Sequence, residues 1–268
     1  LLFFGASVAV FGSAHVQVPS SPQLTFYSSE SGDDLAQVVY AQLARAKRSI
    51  YLRAFTLQAH IADLIESKRC LGLDVDAACD GRYSQRLPDS FNRITCGGLH
   101  HHKILITDHS EVLIGSANFT KDGLSYQANL LATCKDPGLA AFLIRDDSSL
   151  YMGPGYTLYR LPSKQALEAL VEAIDNAKTS IDIALFSLTH KKLIGRLIDA
   201  QKRGVEVRLV IDSTCARHVH GIEQCYRWQG GSFMHHKYAL IDNATLIFGS
   251  ANWTKSAFEK NRDLLVIT

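Results

Sequence analysis

One-sided charge is missing from this chain: Lys and Arg number 28 against 26 Asp and Glu in 268 residues, for a net charge of +2. No global basic excess argues for nucleic acid, so any anion-binding surface has to be local. A long apolar run is missing too. The most nearly apolar stretch, Leu1–Gly12, is too short to cross a bilayer alone. None of the six cysteines stands in a Cys-x-x-Cys spacing, which removes the usual signature of a zinc knuckle or a dithiol redox site. Cys79 and Cys134 lie in apolar, strand-like runs and read as buried thiols. Cys215 and Cys225 are the pair to test for a bridge in an oxidising compartment. The apolar fraction of 47% is that of an ordinary globular protein, enough for a core without staples.

The chain does not open on Met, and no basic residue precedes the apolar stretch. Ser13-Ala14-His15 follows it, a small-residue pattern compatible with cleavage after Ala14. Residues 1–22 are therefore read as a signal-like or anchor-like segment with its linker. The expectation is an exported protein: periplasmic, secreted or membrane-associated. A buried N-terminal strand or helix is the alternative.

What is present is a duplication. Ala46-Lys47-Arg48-Ser49-Ile50 with Phe55-Thr56-Leu57 recurs 131 positions on as Ala177-Lys178-Thr179-Ser180-Ile181 with Phe186-Ser187-Leu188. His101, Lys103, Asp108, Gly115, Ser116, Asn118, Thr120 and Lys121 recur 134 positions on, as His235, Lys237, Asp242, Gly249, Ser250, Asn252, Thr254 and Lys255. In each half a helical pattern (Leu35, Val38, Val39, Leu43; Leu167, Leu170, Val171, Ile174) precedes a β-rich run. A second helical segment, a second strand and a pair of strands joined by a short turn follow. Alternating helices and strands predict an α/β fold of two homologous halves, residues 23–155 and 156–268, joined near Gly153-Pro154-Gly155.

The repeated motif is His-x-Lys-x-x-x-x-Asp. Residues two apart on an extended strand share a face, so His101 with Lys103, and His235 with Lys237, are predicted to point together, and His102 and His236 the other way. Asp108 and Asp242 fall at strand ends, where a turn hydrogen bond or salt bridge suits them better than attack on substrate. The Gly-Ser-x-Asn runs bring Ser116, Asn118, Ser250 and Asn252 toward the same face as candidate phosphate donors. One such motif is weak evidence; two, each followed by Gly-Ser-Ala-Asn at the same spacing, are not.

These residues resemble the phospholipase D superfamily. Gly249-Ser-Ala-Asn-Trp-Thr-Lys-Ser-Ala-Phe-Glu-Lys-Asn261 is similar to its small bacterial nuclease branch, and the likeness runs over nearly all of the chain beyond residue 24. The resemblance implies two mostly buried mixed sheets flanked by helices and a pseudo-twofold arrangement with one shared site, in effect an intramolecular pseudo-dimer in a monomer. One imidazole would attack phosphorus to form a phosphohistidine while the other moves the protons. The lysines, serines and asparagines would stabilise the non-bridging oxygens, with no metal or other cofactor. The resemblance also implies an acidic support downstream of each His on its own half: Asp263 after the second motif, but Asn129 after the first. On that footing local chemistry favours His235 as nucleophile, and the family's first-motif precedent favours His101. Glu259, whose counterpart is Ser125, is a further asymmetric candidate, at the substrate's end or simply a surface charge.

Three functions compete. Hydrolysis or headgroup transfer on a phospholipid, with Leu1–Gly12 at a membrane, is preferred narrowly over an endonuclease acting on DNA or RNA. The nuclease would use Arg82, Arg86, Arg93, His218, His220, Arg227 and Trp228 on backbone and bases. A binding protein without activity is disfavoured by the retention of both His-x-Lys pairs. A metal site from His100, His101, His102 and Asp108 is disfavoured because adjacent strand side chains diverge and a lysine cation sits among them.

Overall fold

The computed structural model describes residues 24–83 and 87–268, with the side chain of His218 excepted. Leu1–Gly12 and Arg86 lie outside the described residues. The first sheet has seven strands: β1 (Thr25–Ser28), β2 (Ser49–Ala54), β3 (Asp74–Asp80), β4 (Asn92–Ile94), β5 (Lys103–Thr107), β6 (Glu111–Gly115) and β7 (Leu130–Lys135), in the order β1-β7-β6-β5-β2-β3-β4. The second has eight: β8 (Leu150–Gly153), β9 (Tyr156–Leu161), β10 (Ser180–Leu185), β11 (Glu206–Ile211), β12 (Gln224–Arg227), β13 (Lys237–Ile241), β14 (Thr245–Gly249) and β15 (Asp263–Ile267), in the order β12-β11-β10-β13-β14-β15-β9-β8. Each sheet is mixed. β2 and β10 run parallel to β3 and β11, and antiparallel to β5 and β13.

Helices α1 (Leu35–Arg45) and α2 (Ala59–Cys70) cover the outer face of the first sheet, and α5 (Lys164–Asn176) and α6 (Lys191–Lys202) that of the second. Asp34 and Ser163 start α1 and α5 by accepting from the N–H groups of Gln37 and Ala166. The central strands read as unbroken apolar runs because both faces are buried. Leu105, Leu113 and Leu131 face the helices, whereas Ile104, Ile106, Val112 and Ile114 meet Leu240, Leu246, Phe248 and Val266 of the other sheet. The inner faces of the two sheets thus share one core, and that core fixes the halves against each other. Each fully buried Leu or Ile contributes roughly 1.5–3 kcal/mol.

The expected α/β fold of two homologous halves is what the structure has. The join differs: Gly153–Gly155 closes the β8–β9 hairpin, with Gly155 at φ +79°, and both strands belong to the second sheet. The chain therefore leaves the first half after α4 (Pro137–Arg145), earlier than the turn residues suggest. None of the six cysteines is disulfide-bonded, Cys215 and Cys225 included. No helix among the described residues is long and apolar enough to cross a membrane.

Candidate active site

Neither motif histidine, His101 or His235, is on a regular strand; β5 and β13 begin at the lysines. The segments ahead of them are held by the opposite half. The His101 N–H donates to Arg262 O at 2.8 Å and the Arg262 N–H to Leu99 O at 2.8 Å. Likewise the His235 N–H donates to Ala128 O at 2.8 Å, and the Ala128 N–H to Phe233 O at 3.0 Å. A buried aspartate anchors each segment from its own half as well: Asp80 accepts from the His100 N–H at 2.8 Å, and Asp212 from the Met234 N–H at 2.9 Å. Asp80 and Asp212 stand at equivalent strand ends, a paired signal in the repeat that could have revealed this role.

The crossing of backbones decides which support each histidine receives. Asp263 Oδ1 bonds His101 Nδ1 at 2.7 Å, and Asn129 Oδ1 bonds His235 Nδ1 at 3.1 Å. This corrects the expectation that Asp263 supports His235 on its own half. Each support opens the last strand region of one half, and that region pairs with the His segment of the other. Asn129 Oδ1 accepts, because the Asn129 Nδ2 donates to Gly123 O. His235 therefore carries its proton on Nδ1, and so does His101 facing a carboxylate. Both Nε2 atoms remain for chemistry.

Ser116 and Ser250, expected on the phosphate, are spent on these supports. The Ser116 hydroxyl donates to Asn129 Oδ1 at 2.8 Å and accepts from the Leu130 N–H; the Ser250 hydroxyl donates to Asp263 Oδ1 at 2.7 Å and accepts from the Leu264 N–H. Gly115 and Gly249 permit the approach, since a Cβ at either would collide with the carbonyl of Leu130 or Leu264. In the same runs Asn118 Oδ1 and Asn252 Oδ1 are buried with no partner among the described residues; toward a phosphate oxygen it is the Nδ2 of such a side chain that can donate. Thr120 and Thr254 cap the short helices α3 (Lys121–Ser125) and α7 (Lys255–Glu259).

Lys103 and Lys237 curl back, each Nζ donating to the carbonyl of the histidine two residues earlier, at 2.8 and 2.6 Å. Each ammonium also lies over an aromatic ring, Lys103 at 5.3 Å from Phe55 and Lys237 at 5.1 Å from Phe186, and these rings contact His101 and His235. Phe55 and Phe186 recur in the repeat, yet only the structure brings them to the site.

Four cationic or potentially cationic groups thus share one buried space, in which Asp263 is the carboxylate bonded to a histidine ring. Burial, then Lys103, pushes the His101 imidazolium down against the pull of Asp263. His235, without a carboxylate, is held well below the usual imidazole range by burial, Lys237 and Lys103. Burial brings Lys103 down to about 7, and burial with Lys103 lowers Lys237. The bonds of His101 to Asp263 and of His235 to Asn129, each across the halves, bring both motifs to one site.

The remaining candidates lie apart from these atoms. Asp108 accepts from the N–H groups of Lys47, Arg48 and Ser49, and Asp242 from those of Lys178, Thr179 and Ser180. Against the upward push of burial, these donors keep both carboxyls below the ordinary range. Both aspartates sit at positive φ in the turns that return the chain to β6 and β14, the turn role expected of them. Glu259 is exposed and pairs with Lys255 at 3.7 Å, so it is a surface charge. His102 and His236 are buried; His236 Nε2 meets Glu30 Oε2 at 2.5 Å, and the His102 ring packs edge-on against His100. Of the residues proposed for nucleic acid, Arg82 is committed to Asp80 and Gly98, Arg93 to Leu87 and Trp228 to Ser232.

The family model described as Cardiolipin synthase, PLD-like domain, matches residues 39–146 and 170–268, most of both halves. The chain belongs to the phospholipase D superfamily. The human mitochondrial cardiolipin hydrolase is 33% identical over 139 residues, covering 45% of this superfamily member and 54% of the human protein. The chain thus spans about half the length of the curated relatives it matches. In fold, the superfamily member superposes on the phosphatidylserine synthase of Haemophilus influenzae Rd KW20 with a TM-score of 0.74, covering 94% of this chain and 83% of the other at 14% identity. It also superposes on the Porphyromonas gingivalis polyphosphate kinase with a TM-score of 0.67, covering 97% of this chain and 47% of the kinase, again at 14% identity. At that identity both likenesses speak to the fold alone.

Proposed function

We propose that the protein is a phosphodiesterase that works through a phosphohistidine on His101, with the headgroup ester of a phospholipid as its substrate. The observation that carries this reading is the crossed pair of supports, Asp263 on His101 and Asn129 on His235. Asp263 fixes the His101 proton on Nδ1 and offsets the positive charge that ring acquires on attack, leaving Nε2 as the nucleophile. The Nε2–phosphorus bond forms as the bond to the leaving alcohol breaks, and the alkoxide takes a proton from His235 Nε2. Water or an alcohol then gives a proton back to His235 and displaces His101, breaking the nitrogen–phosphorus bond. Neutral Asn129 suits a ring that must gain and lose a proton in turn. In the free site burial, with Lys237 and Lys103, disfavours the His235 imidazolium; a bound phosphodiester anion offsets the lysine field and favours the protonated ring. Lys103, Lys237, Asn118 and Asn252 hold the non-bridging oxygens.

The lipid reading is supported by the names of the relatives and by the prior structural commitments of Arg82, Arg93 and Trp228. Membrane association through residues 1–22 and export belong to this proposal. A side-by-side assay on phosphatidylcholine, cardiolipin, single-stranded DNA and RNA tests it. Release of a headgroup or phosphatidate is expected, whereas turnover of DNA or RNA alone would replace the lipid by nucleic acid.

A further inference from the structure

Displacement at phosphorus is directional, and the two walls of this site differ. Beside His101 stand Phe55 and, tilted against it at 4.6 Å, Tyr83. Beside His235 stand Phe186 and, edge-on to it at 5.8 Å, Phe233. The repeat relates these walls residue by residue. Tyr83 lies three positions after Asp80 and Cys215 three after Asp212; Leu99 lies two before His101 and Phe233 two before His235. The Cys215 N–H donates to Asp212 O at 3.0 Å as the Tyr83 N–H does to Asp80 O at 3.2 Å, so the two side chains leave equivalent turns, and the Lys237 ammonium sits over Phe186. Where the first wall carries a tyrosine ring against its phenylalanine, the second carries a half-buried thiol, and an exposed phenylalanine stands beside it.

Resting on the assignment of His101 as nucleophile, we infer that the wall of Phe186, Cys215 and Phe233 is the specificity surface for the leaving alcohol and for the acceptor that replaces it. The reason is in-line geometry. The leaving oxygen departs opposite His101 Nε2, beside the His235 nitrogen that protonates it, and the acceptor deprotonated by His235 enters along the same line. The group that stays on phosphorus leaves this axis sideways. Cys215 provides room beside Phe186 that Tyr83 takes away beside Phe55, and Phe233 offers an apolar edge to whatever alcohol occupies that room. Bulk in the exchanged alcohol is therefore read by the second half.

Four synthetic diesters separate the two directions. Methyl p-nitrophenyl and methyl 4-nitro-1-naphthyl phosphate differ in the leaving group; methyl and benzyl p-nitrophenyl phosphate differ in the retained group. C215Y rebuilds the first half's wall on the second. It is expected to lower the naphthyl-to-phenyl ratio of kcat/KM by about tenfold or more while the benzyl-to-methyl ratio stays within about twofold. F233A removes bulk and is expected to raise the naphthyl-to-phenyl ratio, which decides the matter if C215Y does not fold. Y83C, the reciprocal change, is expected to leave the leaving-group ratio within about twofold of wild type. A fall in the retained-group ratio in C215Y, equal movement of both ratios, or an unmoved leaving-group ratio in both C215Y and F233A overturns the assignment. Wild-type turnover of none of the four esters would overturn the phosphodiesterase reading, and this inference with it.

Discussion

The two halves carry the same motif, yet their histidines differ by one atom's worth of chemistry. His101 leans on a carboxylate and His235 on an amide, at distances of 2.7 and 3.1 Å. In the frame that holds them the halves agree, though the outer walls do not: a lysine curled onto the preceding carbonyl, a phenylalanine under it, a serine behind the support and an aspartate under the loop. Duplication supplies the frame for a two-step reaction. On the mechanism we propose, Asp263 against Asn129 divides the labour within it.

Removing either histidine breaks the comparison most severely. H101A is expected to lose on the order of 10⁴-fold or more in kcat/KM toward every ester, since no nucleophile remains. H235A should lose as much with a poor leaving group but about 10²-fold less with a p-nitrophenyl ester, whose departure needs no proton. Steady-state rates on paired esters check this, and equal losses on both esters in both variants would refute the division. Next in size is the exchange of supports. D263N should cost about 10²- to 10⁴-fold by weakening the hold on the His101 tautomer and charge. N129D should cost less, and it should shift the limb of the pH–rate profile governed by His235 upward, because a carboxylate there favours imidazolium.

The pH dependence of stability sharpens the same picture. Lys103 titrates near 7 in the fold against an ordinary 10.5, and both histidines are likewise depressed. Between folded and unfolded values the unfolded chain binds protons that the fold refuses, so stability rises with pH there and falls as pH drops. For Lys103 the loss accumulates from about 10.5 down to about 7 and is complete below it; for the histidines it continues below 6.5. A bound dianion favours the protonated forms. Sulfate, which does not titrate in this range, should therefore raise Tm more at pH 5.5 than at pH 8; a pH-independent shift in thermal melts would contradict the shared cationic site. D108N and D242N test the frame alone, each costing about 1–3 kcal/mol because a neutral amide oxygen replaces a charged acceptor for backbone N–H groups while the folded fraction stays active. The smallest expected effect is that of EDTA. Activity should persist, because the lysines already supply the charge that a metal would contribute, and loss restored by zinc would refute this.

Much of this was legible in the residues. The spacing of His101 with Lys103 and of His235 with Lys237 marks the groups that the structure gathers at one site, and the duplication marks two halves, because repetition at a fixed offset survives any uncertainty about secondary structure. The partner of each histidine was not legible. Linear order places Asp263 after His235, and nothing local signals that the segments cross between halves; that follows only from the packing of the inner sheet faces. The serines were misread for a related reason. A hydroxyl beside a phosphate site looks like a ligand until the strand carbonyls close to Gly115 and Gly249 show it turned toward Asn129 or Asp263. Glu259 drew notice only by lacking a counterpart, and asymmetry alone does not separate a site residue from a surface charge.

The central claim is that His101 is the nucleophile. H235N and H101N would each be mixed with methyl p-nitrophenyl phosphate, quenched rapidly in alkali to preserve phosphoramidates, and mapped by peptide mass. The account predicts methyl phosphate on the peptide bearing His101 in H235N, formed in a burst matching p-nitrophenol release, and no label on His235 in H101N. Label on His235 in H101N with none on His101 in H235N would contradict it.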